Sequence, residues 1–229
     1  MTDSKPKKPR NNKPRDDAGL KRGIFEAALP RLAVDGFTAK TLNYAAASAD
    51  VDAGALARLF PRGGQDLVEA FSEWADGQMD AALRNTPLAE MKIRARIKAA
   101  VNARIIALRP HKEAARRAAA FLSLPQNAAL AASLLWRTAD RMWRAAGDTS
   151  TDFNFYTKRA ILMGVYSSTL LRWFTDGSED EKDTFEFLDA RIENVMQFEK
   201  FKAEVNEQIS KLPSLTDILN RLGGRHPSA

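Results

Sequence analysis

Apolar residues recur at helical spacing along nearly the whole chain, and no sustained period-2 run of Val, Ile, Thr or aromatic residues interrupts them. That pattern predicts an all-α protein. Helices are expected over 17–34, 39–48, 53–60, 64–84, 88–108, 111–123, 126–146, 153–175, 181–208 and 214–222. The breaks carry their own local reasons. Gly36 follows the first helix, and Pro61-Arg62-Gly63-Gly64 ends the third. Pro110 and Pro125 open two later helices, where a missing N–H costs nothing, and Asp176-Gly177 closes the eighth.

Residue usage then removes whole classes of chemistry. Cys is absent, which excludes disulfides, zinc thiolates, iron–sulfur clusters and thiol nucleophiles. The two histidines are His111 and His226, and neither has carboxylate or His neighbours at metal-ligand spacing. Gly63-Gly64 is a turn, not a phosphate-binding loop. Glu186, Asp189 and Glu193 share a helix with Lys182 and Arg191, which reads as a salt-bridged exposed face. No catalytic activity and no cofactor are expected. No stretch approaches the ~18 consecutive apolar residues of a membrane span. Eight Lys and Arg between Lys5 and Arg22, with Pro6, Pro9 and Pro14 among them, predict a disordered basic tail over 1–16.

Two helices stand out as the centre of a bundle. The segment 153–175 carries Phe153, Leu162, Met163, Tyr166, Leu170, Leu171, Trp173 and Phe174 right round its axis. A helix with no polar face is enclosed by others or lines a cavity. The preceding helix supplies Leu130, Leu134, Leu135, Trp136, Met142 and Trp143.

Residues 37–67 have the layout of a helix-turn-helix, with Leu42, Ala46, Val51, Leu56 and Phe60 as core and a tight turn at Asp50-Val51-Asp52. The plan resembles the TetR-type regulators, a three-helix head followed by a larger ligand-binding bundle. The DNA chemistry is poor. Where the TetR pattern has a Gly, a Ser or Thr, and phosphate-facing Tyr and His, this chain has Asp50, Asp52, Ala57 and Leu59. Carboxylates repel a polyanion, and Ala and Leu donate nothing to phosphate. Only Arg58 could read a base, and Arg62 could touch phosphate. Sequence-specific nucleic-acid binding is therefore not expected; a TetR-type repressor with a hydrophobic effector is the alternative reading.

The run from Leu124 to Arg191 is the most distinctive. Leu124-Pro125-Gln126-Asn127, Trp143, the stretch Gly147 to Thr157 (GDTSTDFNFYT), Phe187-Leu188 and Arg191 resemble the Coq-nine family of ubiquinone-biosynthesis proteins. The likeness covers roughly residues 17–205. It implies a TetR-like helical bundle without DNA binding, in which the larger domain holds an isoprenoid quinone or phospholipid. The pocket candidates are Leu135, Met163, Tyr166, Leu170, Trp173 and Phe174. A surface patch matching Met142, Asp152, Phe155 and Tyr156 would dock a di-iron demethoxyubiquinone hydroxylase. Phe155 stands where some members of the family have Trp. The resemblance also implies a homodimer and a cytoplasmic, peripheral position on the inner membrane face.

The residues agree with two of these implications. Asp148 to Asp152 is a run of N-capping residue types leading into Phe153, Phe155 and Tyr156. At the helical turn angle Phe155 lies about 160° from Phe153 and about 100° from Tyr156, so the three cannot all face one core. At least one is expected at the surface or under a partner. At the C-terminus Ser214 and Asp217 have capping-box spacing, and Leu215, Ile218, Leu219 and Leu222 form an apolar stripe with Leu212 just before. Lys211, Arg221 and Arg225 flank it. So short a helix is unstable alone and needs an apolar surface such as a bilayer interface. The expected organisation is a tail at 1–16, a helix-turn-helix-like head at 17–62, a lipid-binding bundle at 63–208 and an amphipathic membrane helix with tail at 209–229.

Overall fold

The computed structural model describes residues 16–151 and 153–210. Residues 1–15 of the expected basic tail, Asp152 and the expected helix 214–222 lie outside these residues. Ten α-helices and no strand are found among the described residues. The chain through Phe174 forms one compact unit, and the chain from Thr175 forms another.

The head opens with α1 (Asp17–Ala28), whose N-cap Asp16 accepts from the Gly19 N–H at 2.8 Å. The expected single helix 17–34 is broken. Pro30 lies in a 3-10 turn, Leu29–Arg31, followed by α2 (Leu32–Asp35). Proline cannot donate the i→i−4 bond that would carry the helix through. Gly36, at φ +67°, then turns the chain. Thr38 caps α3 (Ala39–Ser48), and Asp52 caps α4 (Ala53–Leu59) by accepting from Ala55 N–H at 2.9 Å. Between them Asp50 adopts φ +58°. Leu42, Ala46 and Phe60 are buried as expected, whereas Val51 and Leu56 are half-buried. Leu59 turns inward, 8% exposed, so it is a core residue and not a phosphate-facing one.

The body comprises α5 (Gly64–Arg84), α6 (Ile93–Leu108), α7 (Lys112–Leu122), α8 (Ala128–Ala145) and α9 (Phe153–Thr175). Helix α6 starts later than expected, because Leu88–Glu90 is a separate 3-10 turn. Pro110 and Pro125 sit in the 3-10 turns that lead into α7 and α8. Helices α5, α6 and α8 pack together. Leu67, Val68, Ala75 and Met79 face a core shared with Val101, Ile105, Leu134 and Met142, all buried. Each of the larger side chains contributes roughly 1.5–3 kcal/mol by leaving water.

Head and body, expected to divide at 62/63, share an aromatic cluster. Phe37 meets Phe71 at 5.7 Å and Phe121 at 6.2 Å between ring centroids. Phe25 meets Trp74 at 6.3 Å, and Trp74 stacks on Phe71 at 5.8 Å. His111 sits edge-on to Trp74 at 5.0 Å, and its partial burial lowers its pKa. Arg117 adds a hydrogen bond to the Ala33 carbonyl at 2.8 Å.

Gly64 opens α5 where the backbone passes close to α3's approach. A Cβ there would lie 2.3 Å from the Phe37 carbonyl oxygen and 3.2 Å from the Phe121 ring. Gly77, on the same helix, has nothing within 4 Å. Gly64→Ala should therefore lower stability by about 1–3 kcal/mol through overpacking, while Gly77→Ala should raise it by up to about 1 kcal/mol through helix propensity. Urea denaturation of both variants reads the opposite signs. A neutral Gly64→Ala would show that the head gives way at this seam.

The second unit begins with a tight cap. Asp176 accepts from Ser178 N–H and Oγ at 2.8 and 2.6 Å and from Thr184 N–H at 2.8 Å. Burial works against its charge, but these donors hold its carboxyl well below the usual range. Helix α10 (Lys182–Ser210) follows. Lys182 pairs with Glu186 at 3.7 Å, both exposed, and Arg191 covers the Phe187 ring, in keeping with a solvated charged face.

Candidate functional site

An apolar cavity of about 270 Å³ lies among α5, α6, α7, α8 and α9. Helix α7 leaves room for it by presenting Ala115, Ala118 and Ala119, and α5 supplies Val68, Phe71 and Ala75. The cavity is graded from dry to wet. Lining residues Arg104, Thr138 and Tyr166 are 5%, 1% and 3% exposed, whereas Leu171, also in its wall, is 63% exposed. The rim is therefore at Leu171 and the floor at Tyr166.

Of the residues singled out for a lipid pocket, Leu135, Tyr166 and Leu170 line this cavity. Met163, Trp173 and Phe174 are not in its wall. Met163 lies about a turn before Tyr166 and Trp173 about a turn beyond Leu170 on the same helix. Trp173, fully buried, rests against Phe174 at 5.5 Å with the Lys112 ammonium over its ring.

The cavity floor is a buried polar network. Arg104 Nε donates to Asp76 at 2.7 Å and its Nη1 to the Tyr166 hydroxyl at 2.6 Å. Its Nη2 reaches Ser72 Oγ at 3.0 Å and the Ser72 carbonyl at 3.3 Å. Thr138 donates its hydroxyl to Asp76 at 3.0 Å. Burial disfavours the Arg104 charge, yet Tyr166 and Asp76 outweigh it and hold the guanidinium pKa above its ordinary value. Burial pushes the Tyr166 phenol up, so it stays protonated. Composition alone did not reveal this network. Its available signal was Arg104 itself, which falls on the apolar stripe Val101, Ile105 and Leu108 and so needs a buried acid.

A second constellation surrounds the start of α9. Trp136 on α8 stacks on Tyr156 at 5.9 Å and meets Phe155 at 6.0 Å. Tyr156 is 60% exposed, and Phe155 is half-buried. Beneath them lies Arg159, 1% exposed. It pairs with Asp140 at 2.7 Å and Asp148 at 3.1 Å, donates to the Phe155 carbonyl at 3.0 Å and covers the Phe155 ring at 3.5 Å. Lys158 adds a contact to Asp148 at 2.8 Å, and the Trp143 indole N–H donates to the Lys158 carbonyl at 3.0 Å. Asp148 thus anchors α9 through its cations. Burial raises its pKa, and the donors Lys158, Ser150 and Arg159 overcome that and hold it well below the ordinary value. Met142, expected in the docking patch, is fully buried in the body core, so its side chain is not on the surface a partner would touch. Asp152 and the stripe Leu212, Leu215, Ile218, Leu219 and Leu222 lie outside the described residues.

The head's two candidate DNA-contacting cations are held by the chain's own acids. Arg58 pairs with Asp17, and Arg62 pairs with Asp66 at 2.6 Å and with Glu69.

These features define a class first. The fold is the TetR-like all-α fold. A TetR transcriptional regulator from Nitrosomonas europaea superposes with a TM-score of 0.60 at 21% identity, covering 76% of this chain and 95% of that one. The particular relationship comes from sequence. The COQ9 family model matches residues 128–199, across α8, α9 and the first part of α10. The ubiquinone biosynthesis protein COQ9, mitochondrial, of Rattus norvegicus is 35% identical over 184 residues, 77% of this chain and 59% of its own length. The Homo sapiens protein of that name is 34% identical over 77% of this chain and 58% of its length. This chain is similar to the COQ9 proteins over these residues and spans less than two thirds of the length of these relatives.

Proposed function

We propose that this chain is a non-catalytic accessory protein of ubiquinone biosynthesis. It holds an isoprenoid quinone or a phospholipid in its apolar cavity and presents demethoxyubiquinone-type intermediates to a di-iron hydroxylase at a membrane surface. The observation that carries this reading is the cavity of about 270 Å³ among α5–α9, in a chain 35% identical to a COQ9 protein. The exposed Tyr156 on its Trp136 and Phe155 base offers the partner an aromatic anchor, the residue type that dominates interface energetics. The apolar stripe from Leu212 to Leu222 and its flanking cations suit a peripheral membrane contact. Pairing of Arg58 and Arg62 with acids of the same chain favours this reading over a DNA-binding repressor.

Two measurements test it. Delipidated protein should bind demethoxyubiquinone-type quinones, and it should bind the hydroxylase. Tyr156→Ala should weaken hydroxylase binding by 2 kcal/mol or more, on the order of thirtyfold, with the melting temperature unchanged. Hydroxylase affinity equal to that of the parent would move the docking surface elsewhere. Tight, sequence-discriminating DNA binding in a gel shift would favour the repressor.

A further inference from the structure

The chemistry of the cavity floor identifies which end of a ligand reaches it. Arg104 is held at each of its three nitrogens. Asp76 neutralises it at 2.7 Å, Tyr166 accepts from Nη1, and Ser72 and Thr138 accept from Nη2. A second cavity of about 180 Å³ lies behind that floor and shares Ser72 and Leu134 with the first. It is lined by Glu69, Glu73, Asp76 and Asp140 against Arg137 and Arg141. Arg137 is itself paired with Glu69 at 2.6 Å. The floor thus offers an anion no surplus of positive charge. Burying a phosphate or carboxylate there would cost heavily, because a charge taken from water needs its own partner.

Two donors remain. The Tyr166 and Ser72 hydroxyls each accept from Arg104, and neither has an acceptor for its own hydrogen among the described residues. A hydroxyl carries one donor beside its lone pairs. Both side chains line the apolar cavity, and both oxygens are fixed by the same guanidinium. The cavity is also smaller than the ~300–1,000 Å³ of sites that enclose a whole drug-sized molecule. It takes one end of a long lipid, and the remainder must leave past Leu171.

We propose that Tyr166 and Ser72, positioned by the Arg104–Asp76 pair, are the specificity determinants of the cavity: they bind the carbonyl oxygen of an uncharged lipid head that enters first, and the balanced floor rejects anionic heads. This rests on the lipid-binding reading above, the ring being held at the floor before it is released to the hydroxylase. In that setting a quinone ring satisfies the floor, and a phospholipid phosphate or a fatty carboxylate does not.

The test uses the full delipidated chain and three probes: a decyl-substituted p-benzoquinone, decylbenzene and decanoate. Each is titrated by displacement of a fluorescent apolar dye. The quinone should bind about five- to a hundredfold more tightly than decylbenzene, the value of two neutral hydrogen bonds, and decanoate more weakly than either. Tyr166→Phe should erase the advantage of the quinone while leaving decylbenzene unchanged. Ser72→Ala, which keeps the Arg104–Tyr166 contact, should reduce that advantage and serves if Tyr166→Phe folds poorly. An unchanged quinone-to-decylbenzene ratio in a folded variant, or decanoate binding as tightly as the quinone, overturns the assignment while leaving the cavity a lipid site. If the parent binds none of the three probes, the lipid-binding reading itself falls, and this inference with it.

Discussion

Arg104→Met is expected to lower the unfolding free energy by about 3–5 kcal/mol, the usual result of removing one partner of a buried ion pair. Arg104 and Asp76 are 5% and 3% exposed, and Asp76 would keep only the Thr138 hydroxyl at 3.0 Å and a distant Arg141 at 3.9 Å. Tyr166 and Ser72 would lose their common donor at the same time. For a domain of this size the loss corresponds to a fall in melting temperature of roughly 6–20 °C. The double variant Arg104→Met/Asp76→Leu should recover most of the stability, because an apolar pair of similar volume avoids the desolvation of two charges. Urea denaturation of the parent, the single and the double variant separates the two effects. A single variant within 1 kcal/mol of the parent would mean that water or a shifted side chain already satisfies Asp76.

Arg159→Ala should cost a similar amount, about 3–5 kcal/mol, for a different set of contacts. It removes the cation shared by Asp140 and Asp148, the donor to the Phe155 carbonyl, and the cover of the Phe155 ring. The sign of the pH effect follows from Asp148. Its folded-state pKa lies below the unfolded value, so its stabilising contribution is present above the ordinary carboxylate range and is lost as pH falls through the folded value. In the variant Asp148 keeps Lys158 but loses one cation. The acid limb of its stability profile should move to higher pH than that of the parent. Denaturant midpoints measured between pH 3 and 7 check this; superimposable acid limbs would show that Lys158 and Ser150 alone hold the carboxylate.

What the chain announced about itself was local. Gly36, Pro61 to Gly64, Pro110, Pro125 and Asp176 mark breaks because each alters backbone geometry or hydrogen bonding within a few residues, and the helices between them stand close to where periodicity puts them. Pro30 obeys the same rule, yet the apolar spacing around it continues, so periodicity carried the predicted helix through it. The candidate site was less legible because its chemistry is tertiary. Asp76 and Arg104 stand 28 residues apart, and Arg159 meets Asp140 across 19. Arg104 shows itself only as a cation on the apolar stripe of α6, and which acids meet either arginine is not fixed until the helices pack. Met142 shows the reverse case. Leu134, Thr138 and Met142 recur every four residues on one buried face of α8, and that spacing alone assigns Met142 to the core. The alanines of α7 speak only through what they leave empty, the room for a ligand beside Ala115, Ala118 and Ala119.

Phe71 stands in two places at once. It lines the cavity, and it carries Phe37 of the head on its ring. The head is therefore not a detachable module. A fragment beginning at Gly64 would bare Phe71, Trp74 and Phe121 to water, and the wall of the cavity would be left without backing on its outer side. A piece of this chain that keeps that wall backed must include Phe37, and Phe25 of α1 packs on Trp74 beside it.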